Sequence, residues 1–166
     1  MFLQGCNKTL STSPPDPDPP QSNLSINSIP EGYQIYLDGK ISGETTPHIF
    51  KFMEEKEYLV NLKHYLYLDT TITMSLNGRE NNYFLDVEGS KYFLGKIICR
   101  SYPMGADILF DDSLTNQKTP AVLENIYPGF HKVKYELLGH RAAEKFITVF
   151  SNDSTICSAS LIDTTV

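Results

Sequence analysis

The sequence predicts an all-β protein: two tandem small β-sandwiches behind a disordered, Pro-rich N-terminal tether. Three observations carry that expectation. Apolar and polar residues alternate at period two from Leu24 onward, no stretch has helical periodicity, and one turn-and-strand segment is written twice. "IPEGYQIYLDGK", residues 29–40, is answered 73 positions later by "YPMGADILFDDS", residues 102–113. Pro30 falls on Pro103, Gly32 on Gly105, Ile35 on Ile108 and Asp38 on Asp111, without a gap. Such a period is long enough for each copy to be a small domain, since chains of roughly 60 residues fold alone with modest stability.

From the N-terminus, residues 1–5 read as the remnant of a signal peptide. "LQGC", Leu3 to Cys6, is similar to the lipobox of bacterial lipoproteins, in which small residues precede a cysteine that is lipidated after cleavage. A full signal peptide has a charged start and ~7–15 apolar residues, and only Phe2 and Leu3 stand here. The alternative is a truncated start with an incidental cysteine. Residues 6–23 are expected to be a lipid-anchored tether. Asn7–Asn23 is rich in Pro, Ser, Thr and Asp with Leu10 as its one large apolar residue, so it cannot bury enough surface to fold. Its prolines favour extended polyproline II, at ~3.1 Å per residue.

The two domains are expected over residues 24–89 and 94–163. In the first, Tyr33, Ile35 and Leu37 share one face while Gln34, Tyr36 and Asp38 share the other. The second repeats the parity with Ala106, Ile108 and Phe110 against Asp107 and Asp111. Tyr58, Val60 and Leu62 alternate with Leu59, Asn61 and Lys63, and their partners are His131, Val133 and Tyr135. Thr71–Leu76 and Lys145–Phe150 are β-branched and apolar enough for further strands.

The corners repeat with the strands. Pro30 and Pro103 fix φ, and Gly32 and Gly105 can take φ > 0. Asp38-Gly39 reads as a two-residue hairpin connection. Asp112 replaces Gly39 in the second copy, so that loop is expected to be longer or differently shaped. Thr-Pro steps at Pro47 and Pro120 suit the start of edge strands, because proline withholds an N–H. Pro128-Gly129 is a turn dipeptide where the first copy has Glu55-Lys56.

Composition narrows function by exclusion. No apolar run approaches the ~20 residues of a membrane-spanning helix, and a net charge of −6 argues against nucleic acid as a partner. Cys6, Cys99 and Cys157 form no CxxC, and pairing of Cys99 with Cys157 is left open. His48, His64, His131 and His140 are dispersed, with no HxH or HExxH, so neither a metal ligand set nor a cofactor is expected. His48 and His131 fall in strand-like stretches and read as half-exposed strand histidines. Phe110–Ser113, "FDDS", is the densest acidic spot, and Asn116 lies near it. It reads as a solvated hairpin tip, since calcium loops supply about six to eight oxygens at regular alternation.

These residues resemble the PEGA domain, named after its Pro-Glu-Gly-Ala turn. The first copy has Pro30-Glu31-Gly32-Tyr33 and departs at the last position; the second has Pro103-Met104-Gly105-Ala106 and departs at the second. Tyr36–Pro47 follows the family's Asp-Gly turn and Gly-x-Thr-Pro segment closely. Phe110–Pro120 keeps the Thr-Pro but lacks both glycines, and Tyr127–His140 has the Pro-Gly turn with Gly-His in place of Gly-Tyr. The resemblance implies a β-sandwich used as an accessory module for surface display or binding, with no catalytic residues to carry over.

The leading expectation is therefore a non-catalytic envelope lipoprotein, anchored to a membrane through Cys6, that binds an envelope protein or cell-wall polysaccharide. Tyr36, Tyr65, Tyr67 and Tyr127 are the candidate contact residues, because tyrosine offers large amphipathic area at small entropic cost. A structural spacer, or an intracellular accessory module of a larger complex, is the alternative. An enzyme would need converging carboxylates or a histidine with an orienting partner, and the sequence offers neither arrangement.

Overall fold

The computed structural model describes residues 20–90 and 92–164. Leu3–Cys6 and most of the tether thus lie outside the described residues. The first copy contains β1 (Gln21–Ile29), β2 (Gln34–Leu37), β3 (Lys40–Thr45), β4 (His48–Glu54), β5 (Glu57–Lys63), β6 (Thr70–Ser75) and β7 (Glu80–Asp86). The second contains β8 (Gly95–Tyr102), β9 (Asp107–Phe110), β10 (Ser113–Lys118), β11 (Ala121–Ile126), β12 (Gly129–Glu136), β13 (His140–Arg141), β14 (Ala143–Val149), β15 (Ser154–Ser160) and β16 (Ile162–Asp163). Among the described residues there is no α-helix, and so none long and apolar enough to cross a membrane.

Each copy packs a three-stranded sheet on a four-stranded one. The sheets are β4-β1-β7 with β3-β2-β5-β6, and β11-β8-β15 with β10-β9-β12-β14. In both three-stranded sheets the last strand runs parallel to the first: β7 to β1 and β15 to β8. The period-two pattern sends Leu24, Ile26, Tyr33, Ile35, Val60 and Leu62 fully into one core. Ile97, Ala106, Ile108, Val133, Tyr135 and Val149 fill the other. β4 and β11, each entered directly after a Thr-Pro step, are edge strands, where a missing proline N–H costs no ladder bond.

The repeated turn motifs meet in space, which explains why they repeat together. Thr46 and Ser28 are buried side by side, their hydroxyl oxygens 2.6 Å apart. Ser28 Oγ donates to the carbonyl of Pro30 at 2.6 Å. A hydroxyl has one proton, so Thr46 gives its own to Ser28 and accepts the Tyr33 N–H at 3.0 Å. Gly32, at φ +91°, donates its N–H to Thr46 O at 2.9 Å. The second copy rebuilds the same knot from Ser101, Pro103, Gly105, Ala106 and Thr119. All four X-Pro bonds involved, at Pro30, Pro47, Pro103 and Pro120, are cis.

Two expectations need correction. The Asp111-Asp112 connection is not longer than Asp38-Gly39: Phe110 pairs with Ser113 as Leu37 pairs with Lys40, and all four loop residues have positive φ. Aspartate holds that shape because its side chains are engaged. Asp111 Oδ1 accepts the Lys132 N–H at 2.8 Å, as Asp38 Oδ1 accepts that of Leu59 at 2.9 Å, and Lys132 Nζ reaches Asp112 Oδ1 at 2.5 Å. Second, Gln21–Asn23, expected in the tether, belong to β1. Gln21 pairs with Glu54 and Asn23 with Glu80, and buried Ser22 hydrogen-bonds Glu55 and the carbonyl of Gly78.

Candidate functional site

Three of the four candidate tyrosines gather at the seam between the two sandwiches. Its frame is polar. The β5–β6 loop presents the carbonyl of Leu66 to the N–H of Ser151, in the β14–β15 loop, at 2.8 Å. Ser151 Oγ then donates to Tyr92 O at 2.7 Å, in the segment joining the copies. Gly95, the first residue of β8, packs so closely on the β14–β15 turn of its own sandwich that a Cβ there would stand 2.4 Å from Phe150 O and 2.6 Å from Val149 Cγ1.

Aromatic rings fill that frame. Tyr67 stacks on Phe93, with centroids 5.5 Å apart and planes 17° apart, and Phe93 meets Tyr127 edge-on at 5.6 Å. Tyr65 meets Phe150 edge-on at 5.5 Å. On the inner side, His64 lies 4.4 Å from Tyr67 and 5.2 Å from the buried Tyr33. These separations and tilts are the ones aromatic pairs favour. Phe93 belongs to the core of the first sandwich while touching Tyr127 of the second. No periodicity in the sequence marks it, and the linking segment gave no reason to single it out.

The tyrosines thus divide. Tyr67 is half-buried and structural. Tyr65 and Tyr127 are 69% and 66% exposed, each with one edge held by a ring of the seam. Tyr36 stands apart on the first sandwich, its ring under Lys63 Nζ at 5.3 Å and its hydroxyl donating to Gln34 Oε1 at 3.3 Å.

Burial shifts several titratable groups toward their neutral forms. Burial raises Tyr33 and Tyr67 above the ordinary phenol, with further contributions to Tyr33 from Tyr67 and to Tyr67 from Glu88. Burial lowers His64, whose Nδ1 accepts the Leu66 N–H at 3.1 Å. Cys99 and Cys157 are register partners on β8 and β15, both buried and both free thiols. Burial pushes Cys99 up to about 11 and raises Cys157 as well. A thiol so raised is a poor nucleophile near neutral pH.

The acidic hairpin tip is occupied by its own neighbours. Burial would raise Asp111, but hydrogen bonds from the Lys132 backbone and His131 outweigh it and hold the carboxyl low. Asn116 lies in β10 at φ +59°, matching Gly43 of β3 at φ +85°. Its place is a strand irregularity, and no metal-ligating cluster of His, Cys, Asp and Glu occurs among the described residues. Gly32 and Gly105, both at φ +91°, and Gly39, at φ +76°, stand at turns, as do Pro30, Pro47, Pro103, Pro120 and Pro128-Gly129. These are scaffold positions.

Comparison with known proteins follows the same division into two copies. The PEGA domain family matches residues 21–89 and again residues 94–164. No curated protein matches the chain. Among solved structures, GBS52, the minor pilin in the Gram-positive pathogen Streptococcus agalactiae, is 9% identical, with a TM-score of 0.33 over 86% of this chain and 96% of that one. The Bacillus anthracis TIE protein is 13% identical, with a TM-score of 0.35 over 80% of this chain and 34% of that one. Both scores are too low for anything to be carried over from either protein. With one match on each sandwich, the chain belongs to the PEGA domain family and carries two copies in tandem.

Proposed function

We propose that this protein is a non-catalytic cell-envelope lipoprotein, anchored through Cys6, whose tandem PEGA domains bind an envelope protein or cell-wall polysaccharide. The observation that supports the binding role is the seam. Tyr65 and Tyr127 are mostly exposed, yet each is braced by another ring. A braced aromatic loses little conformational freedom on contact, so more of its buried area appears as affinity. The same loops hold the two domains together, so a partner contacting both tyrosines meets a prearranged surface.

The test has two arms. Expressed behind a signal sequence, the wild type is expected in the membrane fraction and Cys6→Ala in the soluble fraction. Equal partitioning refutes the anchor. Stable anchoring requires more than one acyl chain, so mass spectrometry of the membrane form should find several. For binding, the full chain is incubated with isolated cell envelopes, and the Tyr65→Ala/Tyr127→Ala double variant should be retained less. Undiminished retention refutes the seam as the contact surface.

A further inference from the structure

The two copies share a scaffold, so the places where they differ in chemistry stand out. One set of differences is concentrated around the last strand of the second copy. Within the three-stranded sheets, Asn27 pairs with Phe84 and Ile29 with Asp86, whereas Arg100 pairs with Ser158 and Tyr102 with Ser160. Nearby, Leu68 and Ile72 of the first copy correspond to Arg141, in β13, and Lys145, in β14. An edge that is apolar and acidic in one copy is cationic and hydroxyl-lined in the other.

The geometry joins these residues into one site. A cleft of about 280 Å³ on one side of β15 is lined by Arg100, Tyr102, Ser158 and Ser160. A second, of about 270 Å³, is lined by Arg141, Glu144, Lys145, Ser160 and Ile162. Ala159 and Ser160 border both clefts, so a single strand's width separates them. Lys145 occupies an inward-facing register position of β14, in line with Ala143, Ile147 and buried Val149. Its charge acts on Cys157 of β15.

The charges at this edge are available. Elsewhere in the second domain Lys118, Lys132 and Lys134 are paired with Asp107, Asp112 and Glu136. Among the described residues, Arg100, Arg141 and Lys145 have no carboxylate partner. Glu144 is the one acid bordering the second cleft, and its charge acts on Lys132 and Lys134 as well. Three unpaired cations at one edge of a chain with net charge −6 create a local field that favours an anion.

We infer that the β15 edge of the second domain binds a carboxylate-bearing polysaccharide. Arg100 and Arg141 lie on opposite sides of the strand, and the planar guanidinium fork takes a carboxylate with two parallel hydrogen bonds. Lys145 adds a point charge to the second cleft. Tyr102, 77% exposed, offers a ring face to a sugar, and the exposed hydroxyls of Ser158 and Ser160 can both donate to and accept from sugar hydroxyls. Each cleft lies below the ~300 Å³ at which drug-sized sites begin, so each suits one unit of a chain ligand. An acidic peptide added as a further strand fits less well. β14 of the facing sheet lies alongside β15, with Thr155 Oγ1 donating to Thr148 O at 2.9 Å, and leaves less room for such a strand. The inference names a ligand class for the binding role proposed above and rests on that role, but not on the seam tyrosines.

Binding of the full chain is measured calorimetrically against polygalacturonate, neutral dextran and poly-L-glutamate. Binding is expected to polygalacturonate alone. The decisive variants carry the first copy's own residues, Arg100→Asn, Arg141→Leu and Lys145→Ile, which an equivalent scaffold already accommodates. Loss of an arginine–carboxylate contact should weaken binding roughly tenfold or more in either single arginine variant, and the triple variant should not bind. Tyr65→Ala/Tyr127→Ala should bind polygalacturonate normally, which separates this site from the seam. Melting by circular dichroism confirms that each variant is folded. If the triple variant does not fold, the single variants and the three-ligand comparison decide. No binding to polygalacturonate, equal binding to poly-L-glutamate or dextran, or full binding by the arginine variants would each overturn the inference.

Discussion

The Ser-Thr knot beneath each opening turn makes a quantitative demand on Thr46. Valine at this position keeps the shape and removes the hydroxyl. Tyr33 N–H then loses its acceptor at 3.0 Å, and Ser28 Oγ loses the donor 2.6 Å away, in a site where Ser28, Tyr33 and Thr46 are all buried. A buried donor left unpaired costs ~1–3 kcal/mol, and a lost hydrogen bond ~0.5–1.5 kcal/mol net. Thr46→Val should therefore destabilise the first domain by about 2–3 kcal/mol. For a domain of this size, ~4–8 °C accompany each kcal/mol, so its melting temperature should fall by roughly 10–20 °C. Ser28→Ala is the internal comparison. It leaves the Tyr33 N–H its acceptor but removes both the bond to Pro30 O and the one donated by Thr46, so it should cost about 1–3 kcal/mol, comparable to Thr46→Val. Urea titration at 25 °C measures both. A Thr46→Val cost within about 0.5 kcal/mol of zero would show that the hydroxyl pair is not what fixes the turn.

Three further outcomes are expected. Gly32→Ala and Gly105→Ala, each at φ +91°, should cost about 1–2 kcal/mol in urea titrations, while Lys40→Ala should cost almost nothing; equal effects would refute the strained turn. Phe93→Ala should cost the first domain ~3 kcal/mol or more and separate the unfolding of the two domains in calorimetry, and an unchanged single transition would refute Phe93 as the link. His64 binds its proton less readily folded than unfolded, because burial lowers its pKa from 6.5. The unfolded chain therefore takes up the proton first as pH falls below 6.5, and stability present above that pH is lost toward the folded-state value. The melting temperature should fall more steeply from pH 7 to 5 in wild type than in His64→Phe, and parallel profiles would refute this.

Much of the architecture was legible because burial imposes parity. Tyr33, Ile35, Val60 and Leu62 alternate in sequence and reach the core for that reason. Ser28 and Ser101 were overlooked because a serine in a strand carries no distinctive signal alone. The signal lay in their shared place, two residues before each repeated proline. The Asp111-Asp112 loop was misjudged because backbone propensity was weighed without the carboxylate–amide bonds that override it. Phe93 was out of reach, because its burial depends on how two finished domains meet. The cationic edge was readable in part: Arg100 stands where the first copy has Asn27 and Lys145 where it has Ile72, but only the fold brings those positions to the two sides of β15.

The parallel pairing of first and last strands has a mechanical consequence. β1 lies along β7 from Asn23 to Ile29, and β8 along β15 from Lys96 to Tyr102. In a parallel pair the start of one strand and the end of the other lie at opposite poles. Tension between the ends of a copy therefore slides the two strands past one another. Every inter-strand bond bears that load at once, whereas tension on ends at the same pole would open an antiparallel pair one bond at a time. The end of β7 leads through Phe93 into the start of β8, so both copies meet the force in the same orientation and in series. Along its length, the chain resists being pulled in the direction in which its sheets are hardest to shear.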